Sequence, residues 1–91
     1  MVVINPHRTT AIVIRHEGHH VTVVPLKSGR LSACRMERER FDAEWQPMDY
    51  DHARALDFFL DHARRQGASQ EVVKALEKLA RREAQVVASL F

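Results

Sequence analysis

The segment Ala11–Val24, AIVIRHEGHHVTVV, constrains the fold most, because it consists of two β-branched runs separated by Glu17 and Gly18. Gly18 can take the positive φ that a two-residue hairpin loop requires, so the segment predicts a β-hairpin with its loop at Glu17 and Gly18. In that register His16 faces His19. Because side chains alternate across each strand, four apolar residues share one face, which we interpret as the core face: Ile12, Ile14, Val21 and Val23.

A third strand is predicted for Leu31–Met36, LSACRM, after a turn with glycine. The length of that loop sets Cys34 opposite Val23. Two residues further along, Met36 lies opposite Val21. The core face therefore continues across three strands.

The segment between the predicted sheet and residue 50 has two interpretations. Phe41, Ala43 and Trp45 alternate with charged residues as in a strand, but Phe41 and Trp45 also have the i, i+4 spacing of a helix. The charged residues around them fit a solvated helical face, and Pro47 ends the segment. We favour a short helix over residues 37–45, with both aromatic side chains packed on the sheet.

After residue 50 the apolar spacing changes to the helical period, which predicts helices over residues 51–66 and 70–89. Asp49 or Asp51 caps the first helix, Gly67 ends it, and Ser69 caps the second. The short link between them indicates an αα-hairpin.

Together these elements predict an α+β fold, with residues 1–91 forming a single domain. The three-stranded antiparallel β-meander covers about residues 9–36 and is followed by the short helical link. The αα-hairpin then packs on one sheet face, the face that carries Ile12 and Val23.

Composition indicates a small globular protein, since 45% of residues are hydrophobic and the net charge is only +2. Cys34 is the single cysteine, which excludes an internal disulfide and fits a reducing compartment; we interpret it as a small buried residue. No apolar run reaches the roughly 20 residues that span a bilayer, and no signal peptide is visible. We therefore expect a cytoplasmic protein without membrane contact.

The hairpin histidines are candidate metal ligands. His16 and His19 are predicted to face each other, and two imidazoles on one face can bind zinc, nickel or copper. A stable site normally needs three or four protein ligands, and His20 points to the opposite face. A solvated hairpin tip is the alternative interpretation, and we expect no bound cofactor.

A nucleic-acid-binding site is the second candidate, because residues 63–76, ARRQGASQEVVKAL, resemble a helix-turn-helix pattern. Gln66 stands where that pattern expects an apolar residue, and a capped αα-hairpin needs the same glycine and serine. A further group of arginines lies in residues 30–40. The candidate nucleic-acid-binding residues are Arg30, Arg35, Arg38, Arg40, Ser69, Gln70 and Lys74.

Self-association is expected because one αα-hairpin covers only one sheet face. The opposite face of the predicted meander is apolar, and the last helix ends in further apolar residues. Exposed apolar patches beyond a few hundred Å² are uncommon on monomers, so the sequence predicts a homodimer. The alternative is that residues 2–4 and 41–45 fold over this face within one chain. The sheet-face residues concerned are Ala11, Val13, Val24, Leu26, Leu31 and Ala33, and the helix residues are Val86, Val87, Leu90 and Phe91.

No phosphate-binding loop, dinucleotide fingerprint, CxxC or HExxH motif is present, and no serine lies in a glycine-flanked elbow. The sequence thus favours a small non-catalytic interaction or regulatory module that acts as a homodimer, with a protein partner as a further possibility. Nucleic-acid binding and metal binding are the alternatives.

Overall fold

The structure is a computed structural model that describes the backbone of residues 1–89 and the side chains of residues 1–85. It has the predicted α+β class. In chain order the elements are β1 (Val2–Ile4), β2 (Thr10–Glu17), β3 (His20–Pro25), β4 (Cys34–Glu37), α1 (Arg38–Glu44), β5 (Gln46–Pro47), α2 (His52–Gln66) and α3 (Gln70–Ser89).

One antiparallel sheet of five strands has the order β4-β3-β2-β1-β5. The predicted meander forms the β4-β3-β2 side of the sheet. The sheet is wider than predicted because the chain start adds β1 beside β2 and the segment after α1 adds β5 beside β1. In β1, Val3 pairs with Ala11 on one side and with Pro47 on the other. Proline at the outer edge limits pairing with further strands, since it donates no backbone hydrogen bond.

The register between β3 and β4 is the predicted one, with Val23 opposite Cys34 and Val21 opposite Met36. The predicted strand length is wrong, because β4 begins only at Cys34. Leu31 instead forms an isolated parallel bridge with Ala68, in the link between α2 and α3. This bridge ties the loop before β4 to the helical layer.

The register predicted between β2 and β3 is wrong. Glu17 pairs with His20, so the two-residue loop consists of Gly18 and His19 rather than Glu17 and Gly18. Gly18 has a φ of 57°, which glycine adopts without strain at the first loop position. His16 consequently pairs with Val21, and the predicted pairing of His16 with His19 does not occur.

A β-bulge then changes the register again within β2. Val13 pairs with Val23 and Arg15 pairs with Thr22, so Ile14 is the extra residue between them. A bulge of this kind changes which face the following side chains occupy. The four residues predicted to share the core face are therefore divided between the two faces of the sheet.

The αα-hairpin covers the face that carries Ile12 and Val24, with Ile14 packed at its border. Both strand residues are fully buried against α2 and α3. The buried residues of this larger core are Ile12, Val24, Leu31, Leu56, Phe59, Ala63, Val72 and Leu76.

The opposite face is also covered within the chain. Phe41 in α1 and Trp45 just after it pack on this face, as the sequence predicts for these two aromatic residues. Among the residues with described side chains, both apolar faces of the sheet are covered within one chain, so the predicted dimer interface on the sheet is wrong. The buried residues here are Val3, Ala11, Val13, Val21, Val23, Met36, Phe41 and Trp45.

Two further residues of the predicted dimer face, Val24 and Leu31, are fully buried under the helices. Leu26 and Ala33 of the same predicted face also pack there. The apolar side chains at residues 86–91 lie outside the described side chains. Cys34, the first residue of edge strand β4, is exposed rather than buried as predicted.

The helix ends follow the predicted signals. Asp51 caps α2, since its Oδ1 accepts hydrogen bonds from the backbone N–H groups of Ala53 and Arg54 at 3.0 and 3.4 Å. Gly67 ends α2 with a φ of 88°, and the Ser69 hydroxyl accepts from the N–H of Val72 at 3.3 Å. These caps fix the turn that brings α3 back across the sheet. No helix in the described chain is long and apolar enough to cross a membrane.

Candidate functional site

The two hairpin histidines lie at an exposed tip. His16 is near the end of β2 and His19 is in the turn. Among the described residues, no group of three or more His, Cys, Asp and Glu side chains is arranged to bind a metal ion. The tip therefore offers at most a partial ligand set.

Replacing both His16 and His19 with alanine should lower the free energy of unfolding by no more than about 1 kcal/mol, because exposed side chains away from caps and cores usually contribute within about 0.5 kcal/mol each. For a domain of this size the melting temperature should then fall by no more than about 4–8 °C. Differential scanning calorimetry with and without a chelator checks this expectation. A large decrease in melting temperature that depends on the chelator would instead show that the histidines bind a stabilising metal.

The arginines of residues 35–40 lie at the end of β4 and the start of α1, and each helical one has an acidic neighbour. Arg38 Nε is 3.9 Å from Asp42 Oδ2, and Arg40 Nε is 3.0 Å from Glu44 Oε1. Arg35 and Arg40 line one shallow depression together with Glu37. Carboxylates thus offset much of the positive charge on this surface.

The other predicted nucleic-acid-binding residues are divided between two places. The link between α2 and α3 is bonded to the loop before β4: Leu31 N–H donates to Gly67 O at 3.0 Å, and Ser69 N–H donates to Leu31 O at 3.1 Å. Arg30 and Gln70 flank these bonded residues, so the start of α3 is held by the protein's own loop. Lys74, one turn further along α3, lies in a different surface feature.

That feature is an open cleft of about 750 Å³ between the end of β2 and the exposed side of α3. Its floor is apolar and includes Ile14 and Leu79. Four basic side chains line it, one from β2 and three from α3; we call it the basic cleft, and these residues are Arg15, Lys74, Lys78 and Arg82.

The lysines and arginine of α3 follow each other at intervals of four residues, so they lie along one side of the helix. At about 1.5 Å per residue, Lys74 and Arg82 are about 12 Å apart along the helix axis. Within the part of the chain that has described side chains, neither these two residues nor Lys78 forms an ion pair. Their charges are therefore directed to solvent.

Arg15 differs from the other three cations because it is already paired. Its Nη1 is 3.4 Å from Glu71 Oε1 and its Nε is 3.4 Å from Glu17 Oε1. Glu71 lines the basic cleft at the end where α3 begins. The electropositive part of the cleft is consequently the part beside Lys78 and Arg82.

The Met1 amine lies near this cleft and links β1 to both long helices. It is 3.2 Å from His52 Nε2, while His52 Nδ1 is 2.7 Å from Glu83 Oε1. Burial lowers the pKa of the Met1 amine, and the charge of Glu83 opposes this shift. The His52–Glu83 contact joins the start of α2 to the distal part of α3 and so helps to fix the position of the basic cleft.

A second surface feature lies on α2. Phe58 is 57% exposed and Tyr50 is 50% exposed, whereas neighbouring Phe59 is 2% exposed. Both exposed rings line an apolar pocket of about 210 Å³ that also includes Met48 and Leu26. We call this feature the Phe58 surface.

The charged residues around Phe58 have a symmetric order along α2. Asp51 and Arg54 precede Phe58, whereas Asp61 and Arg65 follow it. Within the helix, Arg54 Nε is 4.0 Å from Asp51 Oδ2 and Arg65 Nε is 3.2 Å from Asp61 Oδ2. An aromatic side chain is thus flanked on both sides by an acidic and a basic residue.

Sequence reasoning found Lys74 but missed Arg15, Lys78 and Arg82. The i, i+4 spacing within α3 was a usable signal for the last two. Nothing in the local sequence indicates that Arg15 would lie beside them, since it is separated from Glu71 by 56 residues.

No family model, curated protein or solved structure matches the chain.

Proposed function

We propose that the protein is a small non-catalytic interaction module that acts as a homodimer through the Phe58 surface. The observation that carries the proposal is an aromatic side chain, more than half exposed, in the middle of a long helix and beside an apolar pocket. Large aromatic side chains are enriched at the centres of protein interfaces, and charged residues at their rims. The Phe58 surface has this arrangement.

The charge order of α2 favours a second copy of the chain as the partner. If two α2 helices pack antiparallel about a two-fold axis at Phe58, Asp51 and Arg65 are each seven residues from the axis and face each other. Arg54, four residues from the axis, lies close to Asp61 of the other copy, which is three residues from it. A parallel pair would instead place like charges together, so the sequence of α2 is self-complementary only in the antiparallel arrangement.

Sedimentation equilibrium at micromolar to hundred-micromolar concentrations tests the proposal. We expect the mass of two chains for the unchanged protein and of one chain for Phe58→Lys, because a lysine at the axis would face a second lysine and lose the aromatic contact. Ala53→Lys is the matched control. It adds the same charge to an exposed position of α2 that lies about 140° around the helix axis from Phe58.

A charge exchange examines the same interface more sharply. Arg54→Asp and Asp61→Arg should each weaken the dimer, whereas the double variant should recover much of the lost affinity, since opposite charges again face each other. A one-chain mass for the unchanged protein at every concentration would contradict the homodimer. A dimer that Phe58→Lys leaves intact would contradict the proposed interface.

A further inference from the structure

We propose that the basic cleft binds the phosphodiester backbone of a nucleic-acid duplex. This second activity does not depend on the dimer, because all four cations of the cleft belong to one chain. Three of them have no ion-pair partner among the described side chains, and they form a row rather than a cluster. A regular row of single positive charges complements a polymer with regularly spaced single negative charges.

The dimensions of the row agree with this ligand. Lys74 and Arg82 are about 12 Å apart along α3, and the phosphates of one duplex strand advance by about 3.4 Å each along the axis. If α3 lies parallel to the duplex axis, the row covers the axial advance of about three to four phosphates of one strand. The three side chains project from one side of α3, so they can all face the same strand.

The lining residues also distinguish a duplex from an unpaired strand. Proteins that bind single strands usually stack bases on aromatic rings. The described lining of the basic cleft contains cations, aliphatic side chains, His16 and Glu71, but no phenylalanine, tyrosine or tryptophan. Contacts in this cleft are therefore directed to the backbone, and such contacts are independent of sequence.

The position of Glu71 predicts how its replacement changes the affinity for a duplex. Glu71 lies in the cleft and pairs with Arg15, so it repels a phosphate and also occupies a cation. Glu71→Gln should remove this repulsion and leave Arg15 paired with Glu17 alone, which should raise the affinity for the duplex at least about threefold. A row of cations that is only a solvated helix face would show no such gain.

Fluorescence anisotropy with a labelled 25-base-pair DNA duplex of mixed sequence, the matching RNA duplex and the single DNA strand tests the proposal. With three phosphates contacted, the affinity should fall about 40-fold between 50 and 200 mM salt, and each lysine removed should reduce the slope of this dependence by about one. Both duplexes have a phosphodiester backbone, so comparing their affinities shows whether the cleft binds DNA or RNA more tightly. Stronger binding to the single strand would overturn the proposed duplex.

The decisive variants differ in position but not in charge. The cleft variant replaces Lys74, Lys78 and Arg82 with glutamine, and the control variant replaces Arg35, Arg38 and Arg40 with glutamine. We expect more than a tenfold loss of affinity for the first and less than a twofold loss for the second, with the melting temperatures of both close to that of the unchanged protein. All six residues are exposed, so both variants should fold.

Equal losses in both variants would overturn the proposal, because they would show a dependence on net charge alone. A loss in the control variant alone would place the site at the start of α1 and overturn it equally. No binding by the unchanged protein at 50 mM salt, or displacement of the duplex by polyglutamate of equal charge at equal concentration, would also contradict it. The second result would indicate an acidic protein segment as the ligand.

Discussion

Replacing Phe59 with alanine should lower the free energy of unfolding by about 3–5 kcal/mol, the usual cost of removing a buried aromatic ring. Phe59 is among the largest fully buried side chains and lies where α2 packs on the sheet. Small domains are stable by only about 5–15 kcal/mol, so this one substitution removes a large part of the total. Urea unfolding followed by circular dichroism measures the loss.

The adjacent residue provides a matched control. Phe58→Ala removes the same ring from the same helix, but its side chain is mainly exposed. Its effect on the unfolding of a single chain should stay below about 1 kcal/mol. Any further loss should increase with protein concentration, because dimer formation stabilises the folded state by mass action. If Phe58→Ala were the more damaging substitution at low concentration, the orientation of α2 would be wrong.

The contrast between these neighbours explains why the helical part of the fold was predictable. In α2 the buried residues recur at the helical period and the caps have distinct chemistry, with Asp51 at one end and Gly67 at the other. Each signal is local, so it can be identified without knowing the rest of the structure. The register of β3 with β4 was equally accessible because the loop length determined it.

The predicted β2–β3 register is wrong for a physical reason. Alternation predicts a register only when one face of a strand is apolar and the other is polar. Here Ile12 packs under the helices while Val13 packs under α1, so both faces are buried. The sequence pattern then fits several registers equally well, and neither the bulge at Ile14 nor the loop at Gly18 has a decisive local signal.

The incorrect register placed His16 opposite His19 as a possible metal pair. The dimer through the sheet was predicted for a different reason, because only the αα-hairpin was assigned to cover the sheet, whereas Phe41 and Trp45 cover the other face. The basic cleft could not be predicted in full because it forms only where the end of β2, with Arg15, lies beside α3. The spacing of residues along the chain does not show which distant segments lie side by side in the folded protein.

Replacing Trp45 with alanine should also cost about 3–5 kcal/mol, since the side chain is buried under the sheet face that α1 covers. Unlike a loss at a dimer interface, this loss should be the same at every protein concentration, because the contact lies within one chain. Urea unfolding at 1 and at 100 µM measures both properties. A loss that grows with concentration would show that a second copy covers this face, as the sequence alone suggested.

Trp45→Phe distinguishes the contribution of ring packing to stability from the contribution of the indole N–H group. The indole Nε1 of Trp45 is buried and has no hydrogen-bond partner among the described residues. An unsatisfied buried donor costs about 1–3 kcal/mol, so its removal offsets part of the packing lost with the smaller ring. The phenylalanine variant should therefore lose less than about 1.5 kcal/mol, well below the alanine variant. If both variants were equally destabilised, the indole N–H would have to make a hydrogen bond that holds α1 on the sheet.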